Sequence, residues 1–135
     1  MNRLSKKLDE LKKQNKKALV AYLVAGDPDL DSTLDIMHMF VKSGVDVIEV
    51  GVPFTDPIAE GPIIQRAHDR AITKKTSLED IFKLITKFRL KDDETPIVLM
   101  GYLNAFIFFR HLIEENNNNS VDSILVVDIP GELNI

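Results

Sequence analysis

Cysteine is absent from the 135 residues, so the chain has neither a disulfide frame nor a thiolate metal site. Histidine is scarce. His38, His68 and His111 fall on separate predicted helices without ligand spacing, and surface or half-buried helix positions account for all three. No apolar run is long enough to cross a membrane. Ala18–Ala25 follows lysines and faintly mimics a secretory signal. It is too short, its leader carries Asp9 and Glu10, and Gly26-Asp27-Pro28 reads as a turn. The expectation is a buried strand in a cytoplasmic protein. Glycine and proline number six each, yet five of these twelve (Gly51, Pro53, Pro57, Gly61 and Pro62) crowd into one stretch.

What is present is ordinary for a globular domain: 44 % hydrophobic, 28 % charged, and long enough for one real core. The formal net charge of −4 is unevenly spread. Residues 1–17 hold seven basic and two acidic side chains, whereas the remainder holds ten and nineteen. A basic leading segment could suggest nucleic acid. Leu4, Leu8 and Leu11 instead recur at helical spacing among the lysines, which predicts a solvated helix face. No basic, aromatic-studded surface follows.

The chain turns on Val45–Gly61, which reads VDVIEVGVPFTDPIAEG. Val45, Val47, Ile48 and Val50 predict a strand. Its alternation places Val45, Val47 and Glu49 on one face, and Asp46, Ile48 and Val50 on the other. Glu49 therefore points into whatever Val45 and Val47 help to fill, where a carboxylate must be paired, protonated or useful. A strand-end acid that merely reaches water is the plain alternative. Gly51 to Gly61 cannot lie in one regular element, so it is a loop carrying Asp56 and Glu60.

In chain order, Arg3–Asn15 reads as an amphipathic helix and Ala18–Ala25 as a strand. Asp31 or Ser32 caps a helix through Ser43, with Gly44 as its stop. Strand Val45–Val50 and its loop follow. Pro62 opens a helix to about Thr73, packed on Ile63, Ile64, Ala67 and Ala71. Ser77 and Asp80 resemble a capping box before a helix on Leu78, Ile81, Phe82, Ile85 and Phe88. Pro96–Met100 is a strand, with Gly101–Asn104 as its exit loop. Ala105–Glu115 is helical, Asn116–Asn119 is loop, and Val121–Asp128 is a strand turned by Pro130-Gly131. The order β-α-β-α-α-β-α-β predicts an α/β fold with a parallel sheet and helices outside. The repeat spacing is that of a (β/α)8 TIM barrel, of which about the first four units are present. Residues 1–135 then form the N-terminal half of a single barrel domain, with no second domain.

Ile48 to Pro62 resembles the signature of the tryptophan synthase α subunit family. Ala25-Gly-Asp-Pro28, Pro96 to Asn104 and Ser123 to Pro130 are similar to further family segments, in family order. The resemblance implies retro-aldol cleavage of indole-3-glycerol phosphate to indole and glyceraldehyde 3-phosphate, a lyase step in tryptophan biosynthesis. It implies no metal and no cofactor in this chain, with pyridoxal phosphate on a tryptophan synthase β subunit in an α2β2 complex. Carboxylates on opposite sides of one substrate suit the proton traffic such a cleavage needs. Glu49 matches the family's acid/base residue. Glu60 falls where the family has an aspartate that hydrogen-bonds the indole nitrogen. Tyr22, Met100 and Tyr102 match positions lining the indole pocket, although core filling also explains Met100. Pro53, Phe54, Asp56, Pro57 and Asn104 are expected to meet the β partner.

Two departures stand out. Glutamate at 60 adds a methylene to the family's aspartate, and misplacement near 1 Å can cost about 100-fold in rate. Restoring aspartate is therefore expected to leave activity unchanged or raise it. The late strands, whose loops grip the substrate phosphate in the family, have no counterpart among these residues. The 135-residue chain is thus expected to be inactive and poorly stable as a monomer. Two other readings stay open: a different phosphate-handling barrel aldolase or isomerase, and a half-barrel that only engages a partner.

Overall fold

The computed structural model describes residues 2–108, 110–115 and 120–127. Its elements are α1 (Arg3–Lys13), β1 (Val20–Val24), α2 (Leu30–Lys42), β2 (Val47–Gly51), α3 (Gly61–Thr73), α4 (Leu78–Arg89), β3 (Ile97–Tyr102), α5 (Leu103–Phe108), α6 (Arg110–Glu115) and β4 (Ser123–Val127). The alternation predicted from the sequence is therefore present. All three strand pairings are parallel, in the order β1-β2-β3-β4.

Partners in register share a face of the sheet. Tyr22 pairs with Glu49, and Glu49 with Val98; Val24 pairs with Gly51, and Gly51 with Met100. The opposite face carries Leu23, Ile48, Val50, Ile97 and Leu99. These pack with Met37 of α2 and with Ile81, Phe82, Ile85 and Phe88 of α4 in one core. Ile48, Val50, Ile97 and Leu99 are completely buried there. The third long helix breaks the expectation that all helices lie outside. α3 packs through Ile64, Ala67 and Ala71 against Tyr22 and Val24, side chains on the same face as Glu49.

Several boundaries differ from the sequence reading. Strand β1 is shorter than Ala18–Ala25, and β2 begins at Val47; just ahead of it the Asp46 carboxylate accepts from Leu19 N–H at 2.9 Å. The cap of α2 is Asp29 rather than Asp31 or Ser32: its backbone is extended and its side chain accepts from Ser32 N–H at 2.7 Å. Gly44 stops that helix as expected, at φ +87°. Ile63 is exposed instead of packed. Gly101 and Tyr102 are still strand, paired with Val126 and Val127, and Leu103-Asn104 already open α5. The predicted capping box is present, with Ser77 and Asp80 bonded reciprocally. Asn116–Asn119, Asp128 and Pro130-Gly131 lie outside the described residues. Among the described residues, no helix is long and apolar enough to cross a membrane.

The N-terminal ends of β3 and β4 are tied by one carboxylate. Asp122, whose side chain is 1 % exposed, accepts from Ile97 N–H at 2.9 Å and from the Arg89 guanidinium at 3.2 Å. Arg3 of α1 adds its own N–H and guanidinium. Arg89 also donates to the carbonyls of Ser120 and Thr95, so its charge is held by four or more oxygens. Removing one partner of such a buried cluster leaves the other uncompensated. Asp122→Ala should destabilise by about 3–5 kcal/mol in denaturant unfolding. A loss under about 1 kcal/mol, the level of an exposed pair, would mean that the tie carries no structural weight.

Candidate active site

Glu49 sits where β2 is about to end, on the face shared with Tyr22 and Val98. Its side chain is partly exposed, and among the described residues no donor reaches its carboxylate. Burial, and then the negative charge of Glu60, raise its pKa above the ordinary glutamate value. An acid so placed holds its proton more readily than a surface glutamate, which is what a proton donor near neutral pH requires.

After Gly51 the chain leaves the sheet, and Gly51 has its own reason for being glycine. Any side chain there would overlap the Tyr22 hydroxyl. That hydroxyl donates to Glu60 Oε1 at 3.2 Å. Burial, reinforced by the charge of Glu60, keeps the phenol protonated by raising its pKa. Glu60 precedes α3 but does not cap it. Gly61, at φ +74°, turns the chain there, and the Glu60 carboxylate points toward Tyr22 and toward His68.

His68 is the residue that sequence reasoning missed. It was expected at a bland helix position, whereas it is 1 % exposed and meets the Glu60 carboxylate, itself 7 % exposed, at 2.8 Å through Nε2. The contact is short but off the line of the ring N–H. Its other nitrogen, Nδ1, accepts from the backbone N–H of Phe54 at 2.9 Å. A nitrogen that accepts carries no proton, so the neutral ring carries its hydrogen on Nε2, the nitrogen nearer Glu60. Burial lowers the His68 pKa, opposed by the Glu60 and Asp69 charges. The neutral ring is therefore the resting form, and the pair is a histidine–carboxylate contact rather than two full charges. One sequence cue was available: Ile64, Ala67, His68 and Ala71 follow helical spacing, which puts His68 on the packed face of α3.

The loop has further ties. Tyr102 is 5 % exposed, stacks on Phe54 at 4.7 Å between ring centroids, and its hydroxyl accepts from Ala59 N–H at 3.2 Å. The carbonyl of Pro57 accepts from Gln65. Of the residues expected to face a partner, Asp56 and Asn104 are exposed, while Pro53 and Phe54 are half-buried. Pro57 is buried against its own chain and offers a partner no side chain. Ile58 is an exposed apolar side chain on the same loop. Met100, a strand neighbour of Gly51, is half-buried on the Glu49 face. Among the described residues, no group of three His, Asp or Glu could hold a metal ion.

The family model for the tryptophan synthase alpha chain matches residues 8–134. The chain is 46 % identical over 134 residues to the tryptophan synthase alpha chain of Alkalilimnicola ehrlichii, covering 98 % of this chain and 49 % of that one. The crystal structure of tryptophan synthase subunit alpha from Legionella pneumophila superposes with a TM-score of 0.91 at 43 % identity, over 96 % of this chain and 50 % of that one. A tryptophan synthase complex from Pyrococcus furiosus matches with a TM-score of 0.76 at 42 % identity, over 84 % and 47 %. The chain thus spans about half the length of the curated relatives it matches, and its sheet and helices are the N-terminal half of a TIM barrel.

The Glu49 environment makes a testable statement about stability. A carboxyl whose folded pKa is raised stabilises the fold fully below its unfolded pKa, and that contribution is lost as pH rises through the folded pKa. Glu49→Gln removes the ionisation. The variant should melt at a higher temperature than the parent at pH 7, and at the same temperature below about pH 4, where a glutamate of ordinary pKa near 4.3 is protonated. An equal melting temperature at pH 7 would show that Glu49 ionises freely.

Proposed function

The chain belongs to the tryptophan synthase alpha chain family, and from that premise we propose that it supplies the acid–base half of an indole-3-glycerol-phosphate lyase. In this reading Glu49 delivers a proton to carbon 3 of the indole ring. The hydroxyl on the departing carbon then gives its proton to the Glu49 carboxylate left by that donation, its O–H electrons form the aldehyde of glyceraldehyde 3-phosphate, and the electrons of the breaking bond to carbon 3 return to the indole ring. Glu60 accepts the indole N–H hydrogen bond while electron density shifts through the ring. Tyr22, Met100 and Tyr102 line the indole. One observation carries the reading. Two acids stand close together, one on a strand and one on the following loop, and burial first and then the charge of Glu60 raise the pKa of Glu49. Acids whose environments differ in this way can divide donor and acceptor roles.

The proposal includes no cofactor for this chain. Pyridoxal phosphate would belong to a tryptophan synthase β partner in an α2β2 assembly, acting in the cytoplasm. Exposed Asp56, Ile58 and Asn104, beside half-buried Phe54 and Pro53, form the surface offered to that partner. The domain is read as half of one barrel, in which the phosphate grip and the remaining pocket wall come from strands five to eight. A half-barrel that binds the partner without catalysis is the second reading, favoured by the share of the relatives' length that the chain covers.

Indole release, measured with the 135-residue chain and with the chain joined to the C-terminal half of the Legionella pneumophila subunit, separates the two. The joined barrel should release indole and the 135-residue chain should not. In the joined barrel, Glu49→Gln should abolish release while keeping the fold; normal turnover by that variant would remove Glu49 from the mechanism. Ile58→Asp should weaken capture of the β subunit in a pull-down, because it charges an apolar contact without touching the Phe54–Tyr102 stack. Unchanged capture would move the interface off this loop.

A further inference from the structure

We propose that His68 is a positioning residue for Glu60, and that the glutamate at 60 functions in this chain because His68 holds one of its two carboxylate oxygens. The inference rests on the role given to Glu60 above and adds the residue that sets its geometry. Oε2 lies 2.8 Å from His68 Nε2, an electrostatic contact off the line of the ring N–H, and Oε1 accepts from the Tyr22 hydroxyl at 3.2 Å. A glutamate has three side-chain torsions, and two contacts on opposite oxygens fix the group that those torsions would otherwise scatter. The His68 ring is itself fixed, because its Nδ1 takes the backbone N–H of Phe54 at 2.9 Å and the ring is almost fully buried on α3. One side chain thus joins the start of the loop, at Phe54, to its end, at Glu60.

Aspartate at 60 would undo this. Its carboxylate retracts by about one carbon–carbon bond, ~1.5 Å, and no longer reaches both Tyr22 and Nε2. It would also stand at the N-cap of α3, where a short acid readily turns to its own helix N–H groups. The geometry therefore reverses the sign expected from the family pattern alone: Glu60→Asp lowers activity in this chain.

The arrangement responds to pH. The charged groups that act on the ring are Glu60 on the loop and Asp69 on α3; Tyr22 on β1 and Glu49 on β2 are each coupled to Glu60 in turn. Protonating Nδ1 sets its new N–H against the N–H of Phe54 and breaks that tie. The neutral ring therefore joins Glu60 to Phe54, and that link is lost as pH falls below the ordinary histidine range.

Two measurements test the proposal. Imidazole nitrogen NMR on the 135-residue chain should find His68 neutral at pH 7 with its proton on Nε2, and Glu60→Gln should lower its titration midpoint further. A His68 that is protonated at pH 7, or that ignores Glu60→Gln, overturns the proposal. In the joined barrel, His68→Ala and Glu60→Asp should each lower kcat by roughly 100-fold with little change in KM. His68→Gln, which keeps a donor near the Nε2 position, should recover most of the loss. Full activity in His68→Ala or Glu60→Asp overturns the proposal, and so does failure of His68→Gln to rescue. An inactive parent barrel would sink the lyase reading, and the NMR result would then decide the positioning of Glu60 by itself.

Discussion

Burial of Ile48 and Val50 decides where Glu49 points. Both are completely buried against α2 and α4, and each such side chain gains about 1.5–3 kcal/mol from leaving water. A slip of one residue in β2 would expose both and bury Glu49 among phenylalanines, so register and acid placement are one constraint. The parallel pairing extends it to the neighbours. Tyr22 on β1 and Val98 on β3 are level with Glu49, and Met100 is level with Gly51. The side chains proposed to surround a substrate thus inherit their face from a core they do not belong to.

The loop between β2 and α3 is positioned by contacts from three elements. Phe54 N–H is held by α3, Ala59 N–H by the Tyr102 hydroxyl at the end of β3, and Glu60 by the Tyr22 hydroxyl of β1. Pro53 and Pro57 remove backbone freedom from the same segment before any contact forms, and Pro62 does so in the first turn of α3. A functional loop with restricted backbone and anchored ends loses less entropy when it orders around a ligand.

The strands, the helices and the acid on β2 were legible because their signals are local: β-branched alternation, a capping box at Ser77, a glycine stop at Gly44. Tertiary context decided what was misread. Asp29, Asp31 and Ser32 are all competent caps, and the choice fell to the one whose backbone is extended after the turn at Pro28. Gly101 and Tyr102 read as an exit loop, yet pairing with β4 keeps them in the sheet. His68 was invisible as a site residue because its partners, Glu60 and Phe54, meet it only after the chain turns at Gly61. Nothing in the sequence assigns α3 to the Glu49 side of the sheet; small Ala67 and Ala71 allow the close approach to Tyr22 and Val24.

The two ends of the sheet treat the same chemical group in opposite ways. At the strand N-termini, Asp122 is surrounded by donors: an amide of Ile97 and the guanidinium groups of Arg89 and Arg3. At the strand C-termini, Glu49 has no such donor among the described residues and lies instead within the field of a second acid, Glu60. A fold selected only for stability would pair Glu49 as it pairs Asp122, because an unpaired, partly buried carboxylate costs free energy that a single arginine could offset. The electrostatic strain is confined to one rim, while the opposite rim carries the compensated network. That asymmetry follows from the parallel strands, which send every N-terminus to one rim and every C-terminus to the other. One rim can then be tied down, and the other can hold charge in a state that favours proton transfer over stability.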